Sequence, residues 1–395
     1  MKIIQLVESL DIGGLPNYVL QLAKLLQSAG HDLQVAYTKG TPGTHLETSD
    51  INVVHVPTFK DLKALSPDIV HIHLLSDINY LNALAQQDEI VVIRSFHDYT
   101  STCLRRGKRR FPNDRCHRPL NYGCAAFGCI IAPPLADSKS RLPRLMNLPQ
   151  KIQERNIYRQ FDAAICGSHH MKKMLASNGF SENKLHRIPY FSKFENEAHN
   201  DVQKPDGAGT SRPFELLFSG QAVKGKGLEV LIEALGHFPP AQPWHLTVFC
   251  EGARRLPAEE RAKQLNIHDK ITFNGWVKQS ILIDAYKKAD LFILPSIWDD
   301  PGPLVGIEAL ACGTPVVGFA VGGVPDYVID GKTGFLVTNV SANGLYKGLE
   351  RAMKDPEELK NLVTQCKSHV KKQHAAQKHL ENIMQVYTTT LENKV

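Results

Sequence analysis

Features typical of secreted, membrane-spanning and dinucleotide-binding proteins are missing from this sequence of 395 residues. No apolar run approaches the length of about 20 residues that a membrane-spanning helix needs. The first apolar run, Ile3–Val7, contains Gln5 and precedes Glu8, which indicates a buried first strand and not a signal peptide. We therefore expect a cytoplasmic protein. No Gly-x-Gly-x-x-Gly follows that strand, which disfavours a two-domain dehydrogenase.

Cysteine pairs with the two-residue spacing of many zinc sites are also missing, although the chain has eight cysteines. Four of them lie near each other in the sequence: Cys103, Cys116, Cys124 and Cys129. In a cytosolic chain such a cluster suggests metal binding more than disulfides. Because the paired spacing is missing, structural thiols are the favoured interpretation and a metal site is the alternative. The other four are predicted to be core residues: Cys166, Cys250, Cys312 and Cys366.

Positive charge is concentrated in the first half of the chain. Residues 1–195 hold 24 Lys and Arg against 17 Asp and Glu, whereas residues 196–395 hold 22 against 23. The densest run is RRGKRR at 105–110, which would attract phosphates or an anionic membrane surface by roughly 1 kcal/mol per residue. A solvated basic loop is the alternative, and no nucleic-acid partner is expected. The predicted acceptor-binding residues in this run are Arg105, Arg106, Arg109 and Arg110.

Strand-like apolar runs alternate with helical segments along the chain, which predicts an α/β protein with doubly wound parallel sheets. A polar stretch with Pro and Gly at 196–212 predicts a linker. The predicted organisation is a first domain at 1–195, a second domain at 213–374 and a terminal helix at 375–395. Residues 99–150 are rich in proline and are predicted to form an irregular insertion that recognises an acceptor.

The segment from Trp298 to Val337 holds two acids eight positions apart. Asp300 follows a buried strand, at the edge of a parallel sheet where ligands bind. Glu308 lies about two turns further, in a helix predicted at 303–311, where a carboxylate can accept hydrogen bonds from two sugar hydroxyls. The alternative is that Asp300 only caps the helix and that Glu308 is solvated.

Two positions in the first half follow strands in the same way. Gly13-Gly14 precedes a helix, so phosphates could lie against its amides. His97-Asp98 falls just past the strand at Val91, at the ligand-binding edge. His71 and His73 alternate on one strand and are predicted to be buried and hydrogen-bonded.

These motifs resemble those of the GT-B glycosyltransferases of family 4. The match is Asp300-x7-Glu308 followed by ACGTPVV at 311–317, together with Lys226-Gly227 in a glycine-rich loop. The sequence departs from the family pattern at Asp300, where Glu is usual, and at Gln221, where Arg is usual. The resemblance implies two Rossmann-like doubly wound domains that face a central cleft, with a C-terminal helix that crosses back to the first domain.

The resemblance also implies roles for individual residues. Lys226 would bind the diphosphate of a nucleotide-diphosphate sugar, Asp300 the hydroxyls of the donor sugar, and Glu308 the ribose. The implied catalytic residues are His97, Asp300 and Glu308, and Asp98 is placed on the acceptor side. The implied donor-binding residues are Gly13, Gly14, Gln221, Lys226, Gly227, Asp300, Leu304, Val305 and Glu308.

By the same resemblance we expect a retaining hexosyltransferase that needs no metal or other cofactor, because protein groups supply the positive charge. The expected acceptor is a glycan or a lipid-linked glycan in the assembly of cell-surface polysaccharide or lipopolysaccharide, at the inner face of the membrane. Two alternatives are a GT-B nucleotide-sugar epimerase and a non-catalytic glycan- or membrane-binding protein on a GT-B scaffold.

Overall fold

A computed structural model describes residues 1–11, 14–43, 46, 48–110, 114–132, 143–200, 204, 206, 208–209 and 211–394, without the side chains of Arg110 and Asp114. The chain folds into two compact units. The first comprises Met1–Pro189 together with Gln377–Val395, and the second comprises Tyr190–Ala376.

The first unit is built on one parallel sheet, with small antiparallel pairs in the insertion. Its strands are β1 (Lys2–Val7), β2 (Asp32–Tyr37), β3 (Val53–His55), β4 (Ile69–Leu74), β5 (Val91–Phe96), β6 (Arg109–Arg110), β7 (Asp114–Arg115), β8 (Ile131–Ala132), β9 (Arg144–Leu145), β10 (Ala163–Cys166) and β11 (Leu185–Arg187). Its first helices are α1 (Gly14–Ser28), α2 (Phe59–Ala64), α3 (Ile78–Ala85), α4 (Gly123–Ala126), α5 (Leu148–Tyr158) and α6 (His169–Ser177). β4 and β5 are buried along almost their whole length, as expected for parallel strands covered on both faces.

The strand order of that sheet is β11-β10-β5-β4-β1-β2-β3 among the described residues. The chain winds outward from β1 in one direction and from β4 in the other. The neighbours β1 and β4 therefore form a topological switch point, and ligands bind at the carboxyl ends of strands at such points.

The second unit repeats this architecture. Its strands are β12 (Phe214–Ser219), β13 (Trp244–Phe249), β14 (Ile271–Asn274), β15 (Leu291–Leu294), β16 (Val316–Phe319) and β17 (Gly334–Val337). Its helices are α7 (Leu228–Leu235), α8 (Arg255–Gln264), α9 (Gln279–Lys288), α10 (Leu304–Ala311), α11 (Ala342–Ala352) and α12 (Pro356–Gln373). The parallel strands run in the order β14-β13-β12-β15-β16-β17, so the switch point lies between β12 and β15.

The last helix, α13 (Ala376–Glu392), belongs to the first unit in all but its first residue. The side chain of Gln5 donates a hydrogen bond to Tyr387 at 2.9 Å, and Lys394, just past the helix, pairs with Asp162 at 2.9 Å. The predicted pair of doubly wound parallel sheets and the return of the terminal helix are confirmed.

The boundary between the units differs from the predicted linker at 196–212. The second unit begins at Tyr190, because the segment that follows packs on this unit. The ring of Phe194 lies 6.2 Å from that of Tyr286, and Glu197 pairs with Lys287 at 2.6 Å.

Within the described residues, the insertion at 99–150 holds only short elements around a small apolar cluster. The members of the cluster are Leu104, Leu120, Leu148 and Ile152. None of the helices that the structure describes is both long enough and apolar enough to cross a membrane.

Candidate functional site

Three loops meet at the switch point of the second unit, following β12, β15 and β16. Their close approach requires glycine at two positions with positive φ. A Cβ on Gly227 (φ +72°) would lie 1.9 Å from the carbonyl oxygen of Pro295, and one on Gly322 (φ +53°) would lie 2.0 Å from that of Asp300. The amide of Gly323 donates to the same Asp300 oxygen at 2.7 Å. The tight turn at 322–323 therefore fixes the backbone at Asp300.

The side chains of Lys226 and Asp300 form an ion pair at this edge of the sheet. The Lys226 Nζ donates a hydrogen bond to Asp300 Oδ2, and the two side chains are 25% and 10% exposed. Such a charge-assisted bond is stronger than one between neutral groups. The pair holds the ammonium group in place, and an anionic ligand would have to compete with the carboxylate or share the ammonium with it.

Helix α10 begins next to this pair. Its N-cap is Pro303, without a side-chain hydrogen bond, so Asp300 is not the helix cap. The hydroxyls of Tyr327 and Tyr286 donate to the carbonyls of Pro303 and Val305 at 3.1 and 3.2 Å. Burial raises the pKa of both tyrosines, which keeps them neutral donors. The amides of Leu304 and Val305 lie in the first turn, where helix N–H groups lack intrahelical acceptors.

Glu308 is buried on α10, with 6% of its surface exposed, so the alternative of a solvated residue is wrong. The Nζ of Lys193 lies 3.3 Å from Glu308 Oε1 and 4.9 Å from the centre of the Phe194 ring. The sequence did not indicate Lys193, because it lies more than a hundred residues away and in the segment predicted to belong to the first domain.

Two further predicted donor-site residues flank Lys226 in the loop after β12. Gln221 is exposed, and its carbonyl accepts a hydrogen bond from the amide of Val223 at 2.9 Å. Gly227 forms the left-handed turn that starts α7. Lys226 is thus the cation of this loop that contacts Asp300, and Gln221 adds a neutral side chain where the family has Arg.

In the first unit, His97 follows β5 and contacts a buried histidine. Its Nε2 lies 3.0 Å from the Nδ1 of His73. Burial, with a smaller effect of nearby Arg94 and histidines, lowers the pKa of His97 well below its usual value. Asp98 Oδ1 accepts hydrogen bonds from the amide and hydroxyl of Thr100 at 2.9 and 2.6 Å, which braces the turn after His97. His97 is therefore a neutral imidazole at neutral pH.

The predicted burial and hydrogen bonding of His71 and His73 are confirmed. They are 0% and 1% exposed and bond to Ser95 and Gln5 at 2.7 and 2.6 Å. Burial lowers the pKa of His71 to about 3. Gly14, the first residue of α1, is exposed, whereas Gly13 lies outside the described residues.

The basic run at 105–110 does not face solvent uniformly. Arg106 is exposed, and Arg105 and Arg109 are half-buried. Lys108 is buried, and its Nζ donates to the carbonyl of Arg118 at 2.7 Å. The side chain of Arg110 lies outside the described part of the chain. The run thus offers fewer charges to a ligand than its sequence suggests.

The clustered cysteines are free thiols and half-buried: Cys103, Cys116, Cys124 and Cys129. Burial, and then the neighbouring thiols, raises the pKa of Cys129. Across the described residues, no group of three or more His, Cys, Asp and Glu is arranged to hold a metal ion. The other four are buried, which confirms them as core residues: Cys166, Cys250, Cys312 and Cys366.

Known proteins match both halves of the chain. The family model described as Glycosyltransferase Family 4 matches residues 12–191, and the one described as Glycosyl transferases group 1 matches residues 201–369. The Anabaena HepE protein, whose crystal structure is in complex with UDP, has a TM-score of 0.72 at 17% identity, over 98% of this chain and 100% of HepE. The fold is therefore that of a GT-B glycosyltransferase.

Curated relatives match at moderate identity. A D-inositol 3-phosphate glycosyltransferase from Xylanimonas cellulosilytica is 26% identical over 83% of this chain and 80% of that protein. An uncharacterized glycosyltransferase from Methanocaldococcus jannaschii is 28% identical over 45% of either chain, so the match spans less than half of that relative. The two family models, which together match most of the chain, and the fold show that the chain belongs to the family 4 glycosyltransferases with the GT-B fold.

Proposed function

We propose that the protein is a retaining glycosyltransferase that moves a sugar from a nucleotide-diphosphate sugar to a glycan or lipid-linked acceptor. The observation that carries this proposal is the ion pair of Lys226 and Asp300 at the switch point of the second unit, beside the start of α10. Family membership and the binding of UDP by the HepE protein support a nucleoside diphosphate as the donor's leaving group.

Cleavage of the donor's anomeric bond creates positive charge on the sugar and negative charge on the departing diphosphate. Lys226 would bind the diphosphate together with the first amides of α10, at Leu304 and Val305, since cations and helix N-termini stabilise such charge. Gln221 and Gly227, which lie in the same loop as Lys226, would also contact the donor. Asp300 would accept hydrogen bonds from the donor sugar. Because these groups supply the stabilising charge, the proposed reaction needs no metal or other cofactor.

Glu308 would hold the ribose of the donor. A carboxylate has more acceptor sites than one ammonium group uses, so the contact with Lys193 leaves capacity for hydroxyls. In the first unit, Gly14 would approach the phosphates. His97, as a neutral imidazole, would contact the reacting sugar or the acceptor, with Asp98 supporting its turn.

We propose that the insertion at 99–150 recognises the acceptor, and that this acceptor lies at an anionic membrane surface on the cytoplasmic side. Ile131 and Leu145 are opposite each other in the pairing of β8 with β9, and they are 53% and 80% exposed. Tyr122 is 69% exposed, and the guanidinium of Arg118 lies 4.1 Å from the centre of the exposed Phe127 ring. Exposed apolar side chains beside arginines suit a membrane interface. A role in cell-surface polysaccharide or lipopolysaccharide assembly would agree with such an acceptor.

A thermal-shift screen of the full chain against UDP-, GDP- and ADP-sugars tests this function. One donor class should raise the midpoint of unfolding, because a ligand that binds only the folded state stabilises it. Glu308→Ala should abolish the shift. The matched control is Asp269→Ala, which removes a fully exposed carboxylate of the same unit and should keep the shift.

The outcomes separate the alternatives. No shift with any donor would favour a non-catalytic scaffold. A shift accompanied by release of free nucleotide, with no sugar transferred to any acceptor, would favour an epimerase.

A further inference from the structure

Five polar side chains from three adjacent strands share one buried face of the sheet in the first unit. They are Gln5 from β1, His71 and His73 from β4, Ser95 from β5, and His97, which directly follows β5. The strand registers place Gln5 beside His71 and His71 beside Ile93, and alternate residues of a strand share a face. The hydroxyl of Tyr387, in α13, contacts two of them, Gln5 and His71. This row of polar groups occupies a place where apolar packing is usual, so its hydrogen bonds must be satisfied internally.

The contacts form one continuous chain of hydrogen bonds. Gln5 Nε2 donates to Tyr387 Oη at 2.9 Å, and Gln5 Oε1 lies 2.6 Å from His73 Nε2. His73 Nδ1 then lies 3.0 Å from His97 Nε2. On the other side, Tyr387 Oη lies 2.7 Å from His71 Nδ1, whose Nε2 lies 2.7 Å from Ser95 Oγ.

The amide of Gln5 sets the direction of this chain. An amide oxygen only accepts, so His73 must carry its proton on Nε2. Burial, followed by nearby His71, His97 and Arg94, lowers the pKa of His73 well below its usual value, so the ring is neutral and has a single N–H. Its Nδ1 is then an acceptor, and the proton between the two rings belongs to His97 Nε2.

We propose that Gln5 and His73 are positioning residues that hold His97 as the Nε2–H tautomer, which leaves Nδ1 as a hydrogen-bond acceptor. This inference deepens the proposed function and rests on it for its catalytic meaning. In this tautomer, His97 accepts a hydrogen bond from a hydroxyl through Nδ1 and does not donate one to an oxygen acceptor from that nitrogen.

The tautomer is measurable without any ligand, which separates this inference from the proposed function. Long-range ¹H–¹⁵N correlation spectra of the full chain, labelled with ¹⁵N-histidine, distinguish protonated from unprotonated ring nitrogens. His97→Asn and His73→Asn spectra assign the two rings. We expect the protonated nitrogen to be Nε2 in both rings at neutral pH. A proton on Nδ1 of His97 would mean that the hydrogen bonds run in the opposite direction, and it would overturn the proposal whatever the enzyme binds.

Gln5→Leu tests the origin of the effect. Removal of the amide oxygen should give His97 a mixture of tautomers and reduce kcat/KM by roughly tenfold, about the value of one hydrogen bond. Binding of the free nucleoside diphosphate should not change. Ser95→Ala is the matched control. It removes the hydroxyl at the end of the hydrogen-bond chain that lies beyond His71, away from His97, and should leave the His97 tautomer unchanged. An unchanged tautomer in Gln5→Leu, or a mixture with no loss of kcat/KM, would refute the positioning role.

Discussion

The ion pair of Lys226 and Asp300 predicts that its two members affect nucleotide binding in opposite directions. Lys226→Met removes the cation proposed to bind the diphosphate. A hydrogen bond to a charged group is worth about 2 kcal/mol, so the Kd for the matching nucleoside diphosphate should rise roughly 30-fold. Asp300→Asn keeps the shape but removes the charge that competes for Lys226. Partly exposed pairs are worth about 1 kcal/mol, so the free diphosphate should bind about fivefold more tightly.

Isothermal titration calorimetry with UDP, GDP or ADP, whichever matches the preferred donor, measures both effects. Lys224→Met is the matched control, because it removes an equal charge from the exposed part of the same loop. Its effect should be several-fold smaller, and all effects should weaken at high salt because exposed charges are screened. With intact nucleotide sugars, Asp300→Asn should lower kcat, since the donor sugar loses the Asp300 carboxylate as an acceptor for its hydrogen bonds. Equal weakening of diphosphate binding by Lys226→Met and Asp300→Asn would refute this reasoning, and so would an equal effect of Lys224→Met.

Three further predictions concern stability and surface binding. Burial holds the pKa of His71 at about 3 and that of His379 at about 4, below the ordinary 6.5, so the unfolded chain binds more protons as pH falls below about 6.5. Each of these histidines should lower the free energy of unfolding by about 2 kcal/mol at pH 5 relative to pH 7.5. His379→Phe should therefore make the free energy of unfolding less dependent on pH in denaturant titrations followed by circular dichroism. An unchanged pH dependence in this variant would contradict the prediction. Lys204 Nζ donates hydrogen bonds to the carbonyls of Tyr286, Lys287 and Ala289 at the end of α9. Lys204→Met should therefore destabilise the second unit by about 2 kcal/mol in tryptophan-fluorescence melts, whereas Lys360→Met should not. Equal melting midpoints for the two variants would contradict this prediction. Leu145→Glu should reduce sedimentation with anionic vesicles, whereas Leu256→Glu, at another exposed leucine, should not; equal binding by all forms would exclude this surface.

The elements with continuous apolar runs could be predicted from the sequence. The strands Ala163–Cys166 and Val316–Phe319 have the predicted bounds, because burial on both faces leaves a run without polar interruption. The helix Leu228–Leu235 also has the predicted bounds, because its buried residues recur at helical spacing around two glutamates. The strand Leu185–Arg187 was not predicted. Its single buried residue, Leu185, gives no periodic signal, and only its pairing with the strand at Ala163 defines it.

The partners of the site residues could not be predicted, because they depend on long-range contacts. The sequence indicated Lys226 and Asp300 separately, but their ion pair joins residues 74 positions apart. Buried hydrogen bonds were expected for His71, yet its partner Tyr387 lies 316 positions further along. Lys108 belongs to a run that looks solvated in the sequence, and only the carbonyl of Arg118 explains why its ammonium group is buried.

The proposed function requires a sugar to pass from a nucleotide donor to an acceptor with retention of anomeric configuration. The most direct measurement is ¹H NMR of the product formed when the full chain is incubated with the donor chosen by thermal shift and a panel of free and lipid-linked oligosaccharides. We predict a new glycoside whose anomeric proton has the same configuration as that of the donor, with one nucleoside diphosphate released for each sugar transferred. An inverted product, or diphosphate release without a new glycoside, would contradict this account.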